Sequence, residues 1–184
     1  ELEEAIEYAH LRGVEIYVTF NILIADFEVK RAMKSVKMLY DTGVDALILQ
    51  DIGIAAKIRE EFPDFELHAS TQMAVNNYYG AKFLKEMGFS RVVLARETPI
   101  FEIEKIKELD IDVETFIHGA LCVSYSGQCL MSSMIGGKSG NRGECAQACR
   151  RSYEIVDFDG KKLANRLYYL SPKDLNTLDD VAKI

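Results

Sequence analysis

Five short apolar runs recur along the chain, at residues 15–21, 45–51, 66–72, 91–97 and 112–119, with starts 30, 21, 25 and 21 residues apart. That interval holds one strand, one helix and two short connections, the length of a βα unit. Several runs, I-Y-V-T-F and A-L-I-L among them, are largely apolar instead of alternating, the pattern of parallel strands covered on both faces.

The segments between the runs carry helical periodicity. Val29, Ala32, Met33, Val36, Leu39 and Tyr40 follow the i, i+3, i+4, i+7 rule, with Asp26 placed to cap the helix and Gly43 to end it. Leu2, Ala5, Ile6 and Ala9 repeat the pattern ahead of Gly13, and Tyr79, Phe83, Leu84 and Met87 ahead of Gly88. Thr98-Pro99 reads as an N-cap and first helical position for a helix through Ile103, Ile106 and Leu109.

Successive βα units require right-handed crossovers and lead to a (β/α)₈ barrel or an open doubly wound sheet. The barrel is expected. Each run ends in polar residues (Asn21; Gln50 and Asp51; Ser70, Thr71 and Gln72; Arg96 and Glu97; His118), where barrel enzymes place their chemistry. The Gly-rich phosphate loop of an open sheet is missing from the sequence. Five strands do not close a barrel, so the expected class is α/β, a partial TIM-like (β/α) barrel fragment with about three strands outside the chain. A helical pattern beginning at Glu1 and a stop at Lys183-Ile184 fit this expectation, with residues 1–184 a single domain cut from a longer protein.

The 184 residues suffice for one core, and 48% hydrophobic with 28% charged residues is ordinary globular composition. No 18-residue apolar run occurs and the first residues are acidic, so neither a membrane partner nor a signal peptide is expected and the cytoplasm is the expected compartment. There, clustered cysteines favour metal over disulfides.

All four cysteines, Cys122, Cys129, Cys145 and Cys149, fall within residues 119–153, spaced C-x6-C-x15-C-x3-C. Cysteines used as small hydrophobes would be scattered through a core. Gathered among Gly127, Gly136, Gly137, Gly140 and Gly143, they read as thiolates held around a ligand. Structural zinc usually uses C-x2-C knuckles, while iron–sulfur clusters accept more varied loops. Cluster, zinc, and disulfides or free thiols all stay open on spacing alone. The net charge of −7 argues against nucleic acid, yet Lys138, Arg142, Arg150 and Arg151 against Glu144 give this segment +3. Those cations suit an anionic substrate, or equally offset bound thiolates.

Beyond the cysteines, residues 152–158 and 167–170 flank Asp159-Gly160, predicting a β-hairpin over 152–170. Ser171-Pro172 and Thr177-x-x-Asp180 read as starts of short helices. Gly137-Lys138-Ser139 fails as a phosphate loop because Ser132 stands where the first glycine belongs. His118, four residues before Cys122, is a candidate base for a nucleophilic thiol or a substrate contact, while His10 and His68 read as structural.

The run E-T-F-I-H-G-A-L-C-V-S-Y-S-G-Q-C-L-M-S-S over residues 114–133 resembles the signature of the U32, or collagenase-like, peptidase family. N-R-G-E-C-A-Q-A-C-R (141–150), Y-L-S-P-K-D-L (169–175) and Y-V-T-F-N (17–21) resemble it too, so the likeness covers essentially the whole chain. The resemblance implies a TIM-like barrel with strands on both sides of this segment. It implies proteolysis by name, and by its better-understood branches an oxygen-independent hydroxylation of tRNA, ribosomal RNA or a ubiquinone precursor. It further implies a 4Fe-4S cluster on Cys122, Cys129, Cys145 and Cys149, with prephenate as the oxygen source in the RNA branch. The Cys145-x3-Cys149 pair is closer to that RNA branch.

Three readings follow. In the first, a cluster-dependent RNA hydroxylase, Lys138, Arg142, Arg150 and Arg151 contact phosphate, and Arg96 or His118 binds a small carboxylate. In the second, a peptidase, Cys122 and His118 are the nucleophile and base. In the third, the cysteines form a structural zinc module that docks a partner.

Overall fold

The computed structural model describes residues 1–182; Lys183 and Ile184, on which the stop of the chain was read, lie outside the described residues. The five apolar runs form β1 (Tyr17–Phe20), β2 (Ala46–Leu49), β3 (Glu66–Ala69), β4 (Arg91–Val93) and β5 (Asp112–Glu114). They pair in chain order as one parallel sheet, with Leu47 beside Leu67, Ala69 beside Val92 and Val92 beside Val113. Between them lie α2 (Val29–Asp41), α3 (Ile52–Glu61), α4 (Tyr78–Glu86) and α5 (Ile100–Ile106), preceded by α1 (Leu2–His10).

The core forms where one face of the sheet meets the apolar stripes of these helices. Leu47, Leu49, Leu67 and Val92 from the strands and Val36, Ile58 and Ile106 from the helices are fully buried in one cluster. Each such side chain is stabilised by about 1.5–3 kcal/mol relative to exposure. The second face is mixed: Ala46, Ile48 and Val93 share it with Tyr17, His68, Arg91, Asp112 and Glu114. His68 is fully buried, its Nε2 2.9 Å from Glu66 Oε1 and its ring edge-on to Tyr17. Arg91 reaches Asp112 at 3.0 Å and lies over the Tyr17 ring. The other His68 ring nitrogen, Nδ1, is buried without a hydrogen-bond partner among the described residues.

Several local expectations shift. A 3₁₀ turn (Asp26–Glu28) precedes α2, so Asp26 is not its cap; the Glu28 carboxylate accepts the Ala25 amide instead. Pro99, not Thr98, stands at the cap of α5, because Thr98 is spent closing a turn onto the Ala95 carbonyl. The fifth run breaks after Glu114: His118–Gly119 forms a separate strand, β6. After α6 (Met131–Gly136), the predicted hairpin is present as β7 (Tyr153–Val156) and β8 (Lys162–Leu167), with Gly160 at positive φ in the turn. Its second strand starts five residues earlier than the 167–170 run. Ser171-Pro172 opens no helix; the chain turns there and runs into β9 (Leu175–Asn176), which pairs antiparallel with β6. A 3₁₀ turn (Leu178–Asp180) fits the last predicted start.

Candidate functional site

Most of the polar residues at the strand ends hold the structure. Asp51 caps α3 by accepting the Ile54 amide at 3.0 Å and also accepts the Ile24 amide at 3.0 Å. Ser70 accepts from the Gln72 amide, and Thr71 donates to the Leu94 carbonyl. Two groups keep unused atoms. Buried Gln50 donates weakly to the Gln72 carbonyl at 3.5 Å, and its Oε1 has no partner. Arg96 lies with its guanidinium carbon 3.9 Å from the centre of the Phe116 ring, its buried Nε unpartnered.

The cysteine segment is docked on these strand ends by three devices. Glu97 accepts the Ser126 amide at 2.8 Å through one oxygen and the Ser126 hydroxyl at 2.9 Å through the other. Gly127, at φ 73°, lies so close to the turn after β3 that a Cβ there would stand 2.2 Å from the Gln72 carbonyl oxygen. Only glycine tolerates both the conformation and the contact. Asn141 donates to the Gly127 carbonyl, binding the second half of the segment to the first.

All four cysteines are free thiols. Partial burial pushes the Cys122 thiol up, the neighbouring Cys129 and Cys149 push the same way, and the Ser124 amide opposes them. Cys129 and Cys149 are therefore each electrostatic neighbours of Cys122. Cys145 is placed separately: its Sγ receives the Gln147 amide at 3.4 Å and the Ser132 hydroxyl at 3.8 Å, and buried Ser132 also accepts the Ala146 amide at 3.0 Å. Gly140 connects the two parts, since a Cβ on it would touch both the Cys129 carbonyl at 3.6 Å and the Cys145 Cβ at 3.7 Å. Among the described residues no three His, Cys, Asp or Glu side chains converge closely enough to hold one metal ion. Cys122, Tyr125, Leu121, Arg96, Glu97 and Pro172 border an open cleft of about 610 Å³.

The other predicted residues are placed as follows. His118 is exposed on β6, away from that cleft, and makes no hydrogen bond to Cys122 among the described residues. Arg142 forms a two-pronged pair with Glu28, at 2.9 and 2.7 Å, and the pairing holds the Glu28 carboxyl down at about 2. Arg150 donates to Ser171, to the Pro172 carbonyl and to the Leu121 carbonyl at 2.6, 2.8 and 2.7 Å, tying the start of the cysteine segment to the tail. These two cations thus have protein partners where the sequence reading gave them phosphate. Lys138 and Arg151 are exposed. Sequence reasoning missed the roles of Ser126, Ser132, Asn141 and Glu28, and named Gly127 only for the thiolates, not for its contact with Gln72. The placement of Ser126-Gly127 between the first two cysteines was a usable signal; the Glu28 contact, 114 residues from Arg142, left none.

The family model for peptidase family U32 matches residues 1–184. The chain is 45% identical over 95% of its length to the 23S rRNA 5-hydroxycytidine C2501 synthase of Escherichia coli (strain K12), covering 26% of that protein. It is 38% identical over its full length to the tRNA hydroxylation protein P1 of Bacillus subtilis (strain 168), covering 45% of it. A collagenase of Porphyromonas gingivalis is 32% identical over the full chain, with 47% of that protein covered. The chain thus spans about half or less of the curated relatives it matches. Among solved structures, the U32 peptidase Mk0906 superposes with a TM-score of 0.54 at 18% identity, over 65% of this chain and 52% of that one, a likeness of fold.

Proposed function

Because the chain belongs to peptidase family U32, we propose that it is the cysteine-bearing part of an enzyme that hydroxylates a pyrimidine of tRNA or ribosomal RNA without molecular oxygen. The single observation that carries this is the placement of Cys122 in the same cleft as Arg96, at the ends of a parallel sheet. Relatives at 36–45% identity that are named for rRNA or tRNA hydroxylation support it. In this reading the five strands are consecutive staves of a TIM-like barrel, and the site faces its C-terminal mouth.

Cys122, Cys129, Cys145 and Cys149 would hold a 4Fe-4S cluster. The donor set fits: four free thiols lie in one docked segment, and Cys129 and Cys149 each act on Cys122. Structural zinc usually sits on C-x2-C knuckles, which this C-x6-C-x15-C-x3-C spacing lacks, whereas iron–sulfur clusters accept more varied loops. A cluster supplies one-electron chemistry, tuned by nearby N–H groups and by exclusion of water. Here the Gln147 amide already points at Cys145 and the Ser124 amide at Cys122.

The remaining roles belong to the chain's own side chains. Arg96, oriented by its stack on Phe116 and still owed a partner at Nε, would clamp a small carboxylate cosubstrate, prephenate in the branch that the sequence resembles. Glu97 is a positioning residue that holds the Ser126 turn. Lys138 and Arg151 are left for phosphate, and His118, outside the cleft lining, is given no role.

The test uses the full-length protein. Anaerobic preparations should contain iron and acid-labile sulfide, and any one of the four Cys→Ala changes should lower both. Deleting the gene should remove a hydroxylated pyrimidine from tRNA or rRNA digests, restored by the parent and not by Cys122→Ala or Arg96→Ala. A parent that restores nothing yet hydrolyses gelatin, with the activity lost only in Cys122→Ala or His118→Ala, would establish the peptidase reading instead.

A further inference from the structure

The helix α6 and the β7–β8 hairpin border a second open cleft, of about 620 Å³, joined to the cysteine cleft through Arg150 and walled by Ile135, Arg151, Tyr153, Arg166 and Tyr168. Its chemistry differs from the rest of this acidic chain. Arg151 is exposed, and its side chain has no hydrogen-bond or ion-pair partner among the described residues. Arg166 is aimed by one long bond from its Nε to the Ser152 carbonyl, 3.4 Å, which leaves both terminal nitrogens unused. The carboxylate on the wall, Glu154, is already engaged by Lys162 at 3.1 Å, so it does not cancel the arginines. Arg150 also borders the cleft, with its donors committed to the backbone and to Ser171.

The aromatic groups divide in the same way. The Tyr153 hydroxyl donates to the Ala148 carbonyl at 2.8 Å, which fixes that ring as part of the wall. Tyr168 is 65% exposed, and its hydroxyl has no partner among the described residues. An exposed ring beside two free guanidinium groups, with an apolar wall from Ile135, matches the needs of a single-stranded nucleic acid. Each base offers a π-face to stack, and each nucleotide a phosphate to pair. A duplex hides the base faces, and its groove edges do not meet a pocketed ring.

We propose that this cleft is a docking subsite for an unpaired RNA nucleotide, with Tyr168 stacking on the base and Arg151 and Arg166 holding the flanking phosphates. It rests on the RNA reading above and extends it. The substrate would be gripped at two places, the cleft beside Cys122 and this one on the hairpin, which favours a looped or bulged RNA over a continuous helix.

The experiment titrates full-length protein with a fluorescein-labelled single-stranded oligoribonucleotide of mixed sequence, and with the same strand in a duplex, at several salt concentrations. Tyr168→Ala should weaken single-strand binding about tenfold with an unchanged salt slope, whereas Tyr168→Phe keeps it within about twofold. Arg151→Ala and Arg166→Ala should each weaken binding and flatten the salt slope by about 0.7. Duplex binding should not respond to Tyr168→Ala. Because these side chains are exposed, unchanged melting temperatures should accompany the losses. If the parent binds the single strand and all three alanine variants match it, the subsite is wrong while the RNA reading stands. If a parent carrying iron and sulfide binds no RNA, the RNA reading falls and the subsite with it.

Discussion

The buried apolar side chains run from Ile6 to Ile106, with Ala148 the one addition beyond them among the described residues. Large apolar side chains are exposed in both regions, Phe27 and Tyr79 in the body and Met134 and Phe158 beyond it, so it is the buried set that separates them. The sheet body is therefore held by non-directional burial, which tolerates many sequences of similar volume. The cysteine segment and hairpin are held by named hydrogen bonds, ion pairs and one glycine contact, each replaceable only by the same chemistry. The lesson is a division of labour: a body that folds on its own packing carries a segment whose order depends on a few polar clamps and, in our reading, on metal ligation.

The division is most sharply tested in the body. Leu67→Ala removes a fully buried strand residue and should cost about 3 kcal/mol of global stability. Thermal unfolding of the full-length protein should show a lower melting temperature, with the cysteine segment no more open to protease in the folded state than in the parent. Gly127→Ala attacks the other side. The clash with Gln72 and the positive φ should raise the energy of the docked segment by about 2 kcal/mol. Limited proteolysis should then cut early between residues 132 and 144, with the melting of the body nearly unchanged. A fall in body stability equal to that of Leu67→Ala would erase the distinction.

Glu97→Ala is a milder version. It leaves the Ser126 amide without its carboxylate and should loosen the docking by about 1 kcal/mol, seen as faster hydrogen exchange at Ser126. The smallest effect is the acid response of the Glu28–Arg142 pair. Glu28 falls from the usual 4.5 to about 2 when paired. Its contribution is therefore complete above about pH 4.5 and is lost as pH falls toward about 2. Exchange around Asn141 and Gly143 should speed up across that window in the parent, and Arg142→Ala should weaken the dependence, leaving the smaller part due to the Ala25 amide.

What could be read from the sequence follows the same division. The body's strands were legible because continuous apolar runs have few other uses, and all five lie within the predicted segments. The break after Glu114 was not legible, since Thr115, Phe116 and Ile117 continue the apolar run while the backbone leaves the sheet to pair with β9. β8 was placed too late, at 167–170, because K-L-A-N-R-L is almost wholly exposed and offers no apolar face to recognise. In the candidate site, the cysteines were visible through their clustering. The roles of Arg142 and Arg150 were not, because local charge counts favour a phosphate contact while the partners Glu28 and Ser171 come from distant chain. Glu97 was singled out as a strand-end residue, but its grip on Ser126 spans 29 residues.

The parallel sheet has one further property in its two outer strands. Among the described residues β1 pairs with β2 alone and β5 with β4 alone, so each presents a row of amides and carbonyls to whatever lies alongside. The two rims are not equivalent. Asp112 and Glu114 give β5 a pair of carboxylates flanking Val113 that share the one Arg91 guanidinium, at 3.0 and 3.8 Å, so a net negative charge is left to repel like charge on an approaching strand. β1 reads Y-V-T-F and carries no ionisable carboxylate or ammonium along its length. A neighbouring strand can extend the sheet with least electrostatic resistance on the β1 side, so growth of this sheet has a built-in direction. For handling, the same asymmetry identifies Tyr17–Phe20 as the segment where copies of the isolated chain would first zip together, and a lysine at exposed Thr19 as the change that would keep them apart.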